Sequence, residues 1–281
     1  MKYTVIHRYR AKYPITTMCA FFKVSRSGYY DFVKRMDKPD RDEPLAREIA
    51  ECQRQTRKTY GYRRVHIWLA RNRGIYLNPK TVLRVMNKYG LLSEIRRWRR
   101  YRQMGQQIHR YENLLQRKFY ADKPNQKWVT DISYIQTGQG MLYLSAIRDL
   151  YDNSIVAYKT GAEQTVNLVL DTIKVAKKKE AVAAELQLHS DQGFQYTSHG
   201  YFNLTKEYGI TPSMSRSGNC LDNAMAENFF GILKSECINR QKIKDFTEAK
   251  ELIDDYIHFY NHERIQLKTK LTPLEKRRQS A

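Results

Sequence analysis

Apolar residues follow two rhythms along the chain. Between residues 45 and 92 they recur every three or four positions: Leu45, Ile49 and Cys52, then Val65, Trp68 and Leu69, then Val82, Val85, Met86 and Tyr89. That period puts each set on one helix face and predicts a compact three-helix unit. Its third helix is punctuated at both ends, with Asn78 as N-cap, Pro79 in the first turn and Gly90 just past the last. Upstream, Ile15–Phe22 and a segment opening Tyr29-Tyr30-Asp31-Phe32 read as two short helices around the turn Val24-Ser25-Arg26-Ser27-Gly28. Ser25 or Ser27 would cap the second. Residues 1–36 therefore form an N-terminal helical arm, either a small helix-turn-helix or a packing segment. The polar stretch 38–44, bracketed by Pro39 and Pro44, predicts a linker.

From Lys127 the rhythm shortens. Lys127–Ile135 is apolar on both faces, as a central strand would be. Thr137-Gly138-Gln139-Gly140 predicts a hairpin turn into a returning strand, Met141–Ile147, and Ser154–Thr160 a third strand. Val166, Val169, Leu170 and Ile173 restore helical spacing before a fourth strand, Leu186–Asp191. Ser198–Tyr208 reads as helix, Ile210–Met214 as a short strand, and Ala226, Phe229, Phe230 and Leu233 as the buried stripe of a further helix. Strands reached through helices predict an α/β sheet. One more amphipathic helix, with Leu252, Ile253, Tyr256, Ile257 and Tyr260, is expected to pack beneath it. The expected organisation is an arm over 1–36, a helical unit over 45–92, a linker over 93–121, an α/β core over 122–262 and a tail over 263–281.

Charge changes the picture. The 281 residues suffice for two domains with their own cores. They carry 50 Lys and Arg against 29 Asp and Glu, a formal charge of +21. Such an excess favours a polyanionic partner, nucleic acid before membrane. The densest charge lies in 93–121, where Arg96, Arg97, Arg99, Arg100, Arg102, Arg110, Arg117 and Lys118 meet only Glu94 and Glu112 before Asp122. Trp98, Tyr101 and Tyr111 are interleaved, which suits phosphate neutralisation with base stacking, though a tether would look the same. On the third helix of the 45–92 unit, Lys80, Arg84 and Lys88 share a face suited to phosphate contact or groove insertion, or simply to solvent. No apolar run is long enough to span a bilayer, and the first residues lack a signal core, so a cytoplasmic chain is expected. Cys19, Cys52, Cys220 and Cys237 are scattered, which argues against a zinc site or disulfide framework.

Three acids stand out as candidate chemistry. Asp131 sits inside the strand Trp128–Ile135, and Asp191 ends the strand that starts at Leu186. Glu227 lies on the later helix, with thirty-five residues between it and Asp191. Most acids are solvated surface charges. A carboxylate embedded in an apolar strand is costly unless something compensates it. Two aspartates and a glutamate in this order suit a two-metal phosphoryl-transfer site. Hard divalent cations take carboxylate oxygens, and a pair of ions about 3.5–4 Å apart clamps the attacking and leaving oxygens. Asn223, Glu227 and Lys234 share a helical face if one helix carries all three. Asn223 is then a candidate assisting residue, and Lys234 reads as a phosphate contact or a solvated lysine. His189, two residues before Asp191, either assists the site or is a hydrogen-bonded structural histidine.

The surrounding residues carry a resemblance. Thr130-Asp131-Ile132-Ser133-Tyr134, His189-Ser190-Asp191-Gln192-Gly193 and Ser217-Gly218-Asn219-Cys220-Leu221-Asp222-Asn223-Ala224 with Glu227 resemble the motifs of bacterial insertion-sequence transposases of the IS3 family, the retroviral-integrase-like DDE recombinases. Tyr60-Gly61-Tyr62-Arg63-Arg64-Val65 and Tyr260-Asn261-His262-Glu263-Arg264 are similar to further family signatures, so the resemblance spans about residues 12–278. It implies an RNase H-like integrase core behind a helix-turn-helix domain. Asp131, Asp191 and Glu227 would hold two Mg²⁺ ions, with Mn²⁺ as a substitute. The expected partners are double-stranded DNA, as element ends and target, and further copies of the chain, in a nucleoid-associated complex. In RNase H-like folds the first and fourth strands are neighbours, which would bring Asp131 to Asp191. Two other readings stay open: an RNase H-like nuclease, and a catalytically silent DNA-binding regulator.

Overall fold

A computed structural model describes residues 2–36, 40–94, 111–180, 185–216 and 220–279. The chain opens with α1 (Lys2–Tyr9), α2 (Ile15–Phe21) and α3 (Arg26–Met36), which bury Ile6, Met18, Cys19 and Tyr29 among themselves. Next come α4 (Glu43–Gln55), α5 (Tyr62–Arg73) and α6 (Pro79–Lys88), close to the expected three helices. The apolar stripes named above meet here: Ile49, Cys52, Val65, Val82, Val85 and Met86 are fully buried. Asn78 Oδ1 accepts the Lys80 N–H at 2.9 Å and starts α6, as its position before Pro79 implies. At the end of α5, Gly74 takes the left-handed φ of 65° that turns the chain.

The strands form one five-stranded sheet. β1 (Lys127–Thr137), β2 (Gly140–Asp149) and β3 (Ile155–Gly161) are an antiparallel meander, and α7 (Val166–Lys179) leads to β4 (Gln187–Ser190). After α8 (His199–Glu207), β5 (Thr211–Met214) pairs with β4. The strand order is β3-β2-β1-β4-β5, so β1 is central, in keeping with its apolar run on both faces. β4 runs parallel to β1, with Val129 opposite His189. A parallel neighbour requires a crossover, which here runs through β2, β3 and α7. β1 runs on to Thr137 against β2 while β4 ends at Ser190, and Asp131 and Asp191 each lie two residues beyond that last matched pair.

Helices cover both faces. On one, Val169, Ile173 and Tyr201 pack against Trp128, Ile147 and Leu188. On the other lie α9 (Ala224–Glu236) and α10 (Phe246–His262), whose Phe229, Leu233, Ile253 and Tyr256 are buried in one cluster with Ile135, Leu142 and Leu144. That cluster continues into the core of α4–α6, so the helical unit is docked on the sheet domain. Tyr60 is buried in the seam, where its hydroxyl donates to the Glu263 carbonyl at 3.0 Å and accepts the Ile265 N–H at 2.8 Å. Arg64 Nε donates to the Ile265 carbonyl at 3.0 Å. The Tyr60–Arg64 motif thus ties α5 to the chain beyond α10, a role its sequence did not disclose.

Two buried charge clusters complete the frame. Glu236, at the end of α9, accepts Arg264 Nη2 at 2.6 Å, Arg264 Nε at 2.8 Å and the Tyr256 hydroxyl at 2.8 Å. Arg64 Nη1 lies 3.9 Å from the same carboxylate. At the opposite end of β2, Asp149 and Asp152 are fully buried. Arg277, on α11 (Pro273–Arg278), donates to Asp149 at 3.0 Å, to Asp152 at 2.7 Å and to Glu180 at 2.6 Å. Buried carboxylates persist where such partners replace water.

Candidate active site

The site begins with two aspartates, Asp131 within β1 and Asp191 one residue past β4. Asp131 Oδ1 accepts the N–H of Ile132 at 2.8 Å, and Asp191 Oδ1 accepts the N–H of Gly193 at 2.9 Å. Among the described residues the second oxygen of each carboxylate accepts no hydrogen bond, which leaves it open to a cation. Burial pushes the Asp131 carboxyl well above the usual carboxylate range; the Asp191 charge and, less strongly, the Glu227 charge add to this, while the Ile132 N–H and Lys234 pull it back. Burial likewise raises Asp191. Two half-buried carboxylates repelling each other are what a divalent cation would relieve.

Glu227 lies in the first turn of α9, exposed, with its carboxyl raised by partial burial and by the Asp191 charge. Among the described residues no three His, Cys, Asp or Glu side chains converge closely enough to hold one ion together. The three expected acids thus stand as an interacting pair with a third in electrostatic reach. Lys234 sits two turns along α9, its Nζ 4.4 Å from the centre of the half-exposed Tyr134 ring on β1. Burial lowers its pKa, and the nearby Asp131 charge opposes that shift.

The two candidate assistants, Asn223 and His189, are both buried. Asn223 is not on the helical face of Glu227: it ends a 3-10 turn, Cys220–Asn223, because α9 starts only at Ala224. Its side chain is buried with Oδ1 unpartnered. His189 is buried between β4 and β5, its Nδ1 2.8 Å from Ser213 Oγ and its Nε2 3.2 Å from Ser215 Oγ. Burial drops its pKa to about 4, so the ring is neutral near pH 7. His189 is thus the hydrogen-bonded structural histidine of its two readings, and β4 stops at Ser190, one residue short of Asp191.

Asp222 holds the site's frame although no periodicity marks it. Its fully buried carboxylate takes Arg216 Nε at 2.8 Å and Nη2 at 3.0 Å, Arg117 Nε at 2.8 Å and Asn113 Nδ2 at 2.8 Å. These bonds, Arg216 first, hold its carboxyl below the usual range. The knot joins the end of the basic linker to the segment that launches α9, and so to Glu227. An acid in a Ser/Gly/Asn-rich loop next to a helix start was its only signal.

Of the candidate DNA contacts, Arg96, Arg97, Arg99 and Arg100 lie outside the described residues. Lys80 is exposed on α6. Arg84 is forked onto Asp42, both bonds 2.7 Å, and Lys88 Nζ meets Asp42 at 2.8 Å and Asp40 at 2.7 Å. Tyr89 Oη donates to Asp40 at 2.6 Å. Two linker acids thus occupy the donors a DNA phosphate would use. Lys88 and then Tyr89 hold the Asp40 carboxyl down at about 2, and Arg84 holds Asp42 lower still. Depressed carboxyl pKa values mean pairing that is complete above the unfolded range near 4 and lost only as pH falls toward 2. The acids should therefore stay in place from pH 5 to 9, and Asp42→Asn should tighten duplex binding about threefold, the scale of one exposed ion pair. A salt-matched titration of the two proteins checks this; equal affinities would mean that DNA does not compete for Arg84 and Lys88.

Residues 121–220 and 227–280 match the integrase core domain family, and residues 39–99 match the HTH-like domain family. InsK of insertion sequence element IS150 from Escherichia coli is 40% identical over 280 residues, covering 98% of both chains. The transposase InsF of insertion sequence IS3A from the same organism is 30% identical over 264 residues, covering 92% of this chain and 91% of its own. The catalytic core domain of HTLV-2 integrase, solved in complex with magnesium, is similar over 56% of this chain and 98% of its own, at 14% identity and a TM-score of 0.45. No helix among the described residues is long and apolar enough to cross a membrane.

Proposed function

The chain belongs to the insertion-sequence transposases, of the DDE type with an integrase core, and from that premise we propose that Asp131, Asp191 and Glu227 are the carboxylates that cut and join its DNA ends. The observation that carries this reading is the placement of Asp131 in β1 and of Asp191 just past its parallel neighbour β4, each two residues beyond the matched pair Val129–His189, where the Asp191 charge helps raise the Asp131 carboxyl. The donor set is all carboxylate oxygen, which fits Mg²⁺, with Mn²⁺ as a substitute, in a two-ion site. When bound, these ions supply a Lewis acid that lowers the pKa of an attacking water or 3′-hydroxyl and stabilises the leaving 3′-oxygen.

The chain's own residues hold and orient. Asp131 and Asp191 are steadied by the Ile132 and Gly193 N–H groups, while Glu227 depends on where α9 sits. The Asp222 knot fixes the start of that helix and the Glu236 cluster its end. A 3′-oxygen attacks the phosphodiester as the bond to the leaving 3′-oxygen breaks, so no covalent protein–DNA intermediate is needed. The substrates in this reading are the element's terminal repeats and a target duplex, held by a homo-oligomer in the nucleoid. A strand-transfer assay with Mg²⁺ and DNA carrying the element's ends tests it. Joined product is expected, and its absence with both Mg²⁺ and Mn²⁺ overturns the reading.

Lys234 is assigned to a phosphate near the scissile bond, as a point charge on a flexible stem. Lys234→Ala should slow joining about tenfold at subsaturating DNA, the loss of roughly 1.4 kcal/mol. Lys234→Arg should recover part of it. Wild-type rates for Lys234→Ala at both low and saturating DNA would return Lys234 to ordinary surface.

A further inference from the structure

The matched HTH-like region begins at residue 39, yet the 35 residues of 2–36 have a core and a geometry of their own. Seven-residue α2 and eleven-residue α3 are joined by four residues, Phe22 to Ser25. The turn is fully specified. Phe22 N–H bonds the Met18 carbonyl at 2.9 Å, and Val24 N–H reaches back to Cys19 at 3.0 Å. Between them Lys23 takes a left-handed φ of 51°, which closes α2 and redirects the chain. Ser25 Oγ then accepts the Gly28 N–H at 3.0 Å and opens α3. Any Cβ at position 28 would run into the Tyr3 hydroxyl and Ser25 Oγ, so α1 rests directly on the start of α3. Both ends of the turn are thus braced, and the angle between α2 and α3 is set by packing.

The outer face of α3 has the opposite character. Arg26, Ser27, Asp31 and Lys34 are exposed, Tyr30 is 52% exposed, and Phe21 at the end of α2 is 80% exposed. Exposed rings beside unpaired cations suit contact with bases and phosphates. Residues 2–36 contain eight Lys and Arg against one acid, Asp31. Among the described residues neither Arg26 nor Lys34 is in an ion pair, unlike Arg84 and Lys88 on α6.

We propose that residues 2–36 are a second helix-turn-helix, whose α3 enters the major groove of duplex DNA. In such units the first residues of the second helix face base edges and the flanks meet the backbone. That assigns Arg26, Ser27 and Tyr30 to the bases, and Lys23 and Lys34 to phosphates. The chain then carries two DNA-reading units in tandem, with the linker around Asp40 and Asp42 between them. A first contact through α3 raises the local DNA concentration at α6, where phosphates can displace the two acids. This assignment rests on the protein being a DNA-handling transposase, but not on which carboxylates do its chemistry.

The test uses the full chain in EDTA, so that binding is read without cleavage. Wild type and an Arg26→Ala/Tyr30→Ala double variant are titrated onto a duplex of the element's terminal repeat and onto an unrelated duplex, with footprints of each. Both side chains are exposed, so the thermal transition should not move. The double variant should bind the element end about tenfold more weakly, as for loss of one base-reading contact, and the unrelated duplex almost unchanged. Its footprint should shorten on one side. Lys34→Ala should weaken both duplexes alike and flatten the dependence of log K on log salt by about one. Wild-type affinity and footprint in the double variant, or equal losses on both duplexes, overturn the proposal. Catalytically dead carboxylate variants that keep the full footprint leave it standing.

Discussion

Asp131→Asn, Asp191→Asn and Glu227→Gln should each lower strand transfer about a thousandfold or more, a loss of roughly 4 kcal/mol of transition-state stabilisation. Duplex binding in EDTA should be unaffected. The two aspartate variants carry a second signature. Both carboxyls are raised in the folded chain, chiefly by burial and for Asp131 also by its partner's charge. The folded state then holds more protons than the unfolded one, so metal-free stability falls as pH rises through the raised values. Replacing either aspartate by its amide should raise the metal-free melting temperature near pH 7 and flatten that pH dependence. Mg²⁺ should raise the melting temperature of wild type and much less that of the variants, by binding only the folded site. A variant that keeps wild-type joining loses its place in the site. One that melts lower than wild type without metal shows that its carboxylate was serving the fold.

Arg264→Met should cost about 3–5 kcal/mol, because it strands Glu236 in the interior without its main counter-charge. Arg64 at 3.9 Å is too far to replace a two-pronged pair at 2.6 and 2.8 Å. A shift of roughly 10 °C in the thermal transition is the expected size. Adding Glu236→Met should recover much of the loss, so the two substitutions should be strongly non-additive. Additive losses would mean that the two side chains do not share one cluster. Because Glu236 ends the helix that begins near Glu227, and Arg64 reaches it from the helical unit, Arg264→Met should also slow joining at saturating DNA.

Local pattern carried most of the architecture. β1 was recognisable as central because its run from Trp128 to Ile135 had no polar face, and α6 because Asn78 and Pro79 announce its start. Asp131 and Asp191 could be paired because the RNase H-like fold implied by the resemblance sets its first and fourth strands side by side. What stayed hidden depends on contacts between distant segments. The roles of Asp222 and Glu236 are set by Arg117 and Arg216, and by Arg264 and Tyr256, partners that no spacing rule links to them. His189 is the hydrogen-bonded structural histidine that one of its two readings described, whereas Asn223 does not share a helix with Glu227, because α9 begins one residue after it. The pairing of Arg84 and Lys88 with Asp40 and Asp42 crosses more than forty positions, and the face looked bare because helical spacing sees only its own helix.

The arginine that neutralises Asp149 and Asp152 has a consequence in time. Arg277 follows them by 128 and 125 residues. At about 5–20 residues per second, a ribosome needs roughly 6 to 25 s to make that span. Through this interval β1 and β2 are already synthesised, yet two acids destined for the interior have no guanidinium to meet. The nascent sheet cannot close around them cheaply, and its last turn of packing waits for α11. Folding of the transposase core is thereby tied to the late arrival of a short basic helix, and a ribosome stalled before residue 277 holds a chain whose sheet domain is still open to chaperones and proteases.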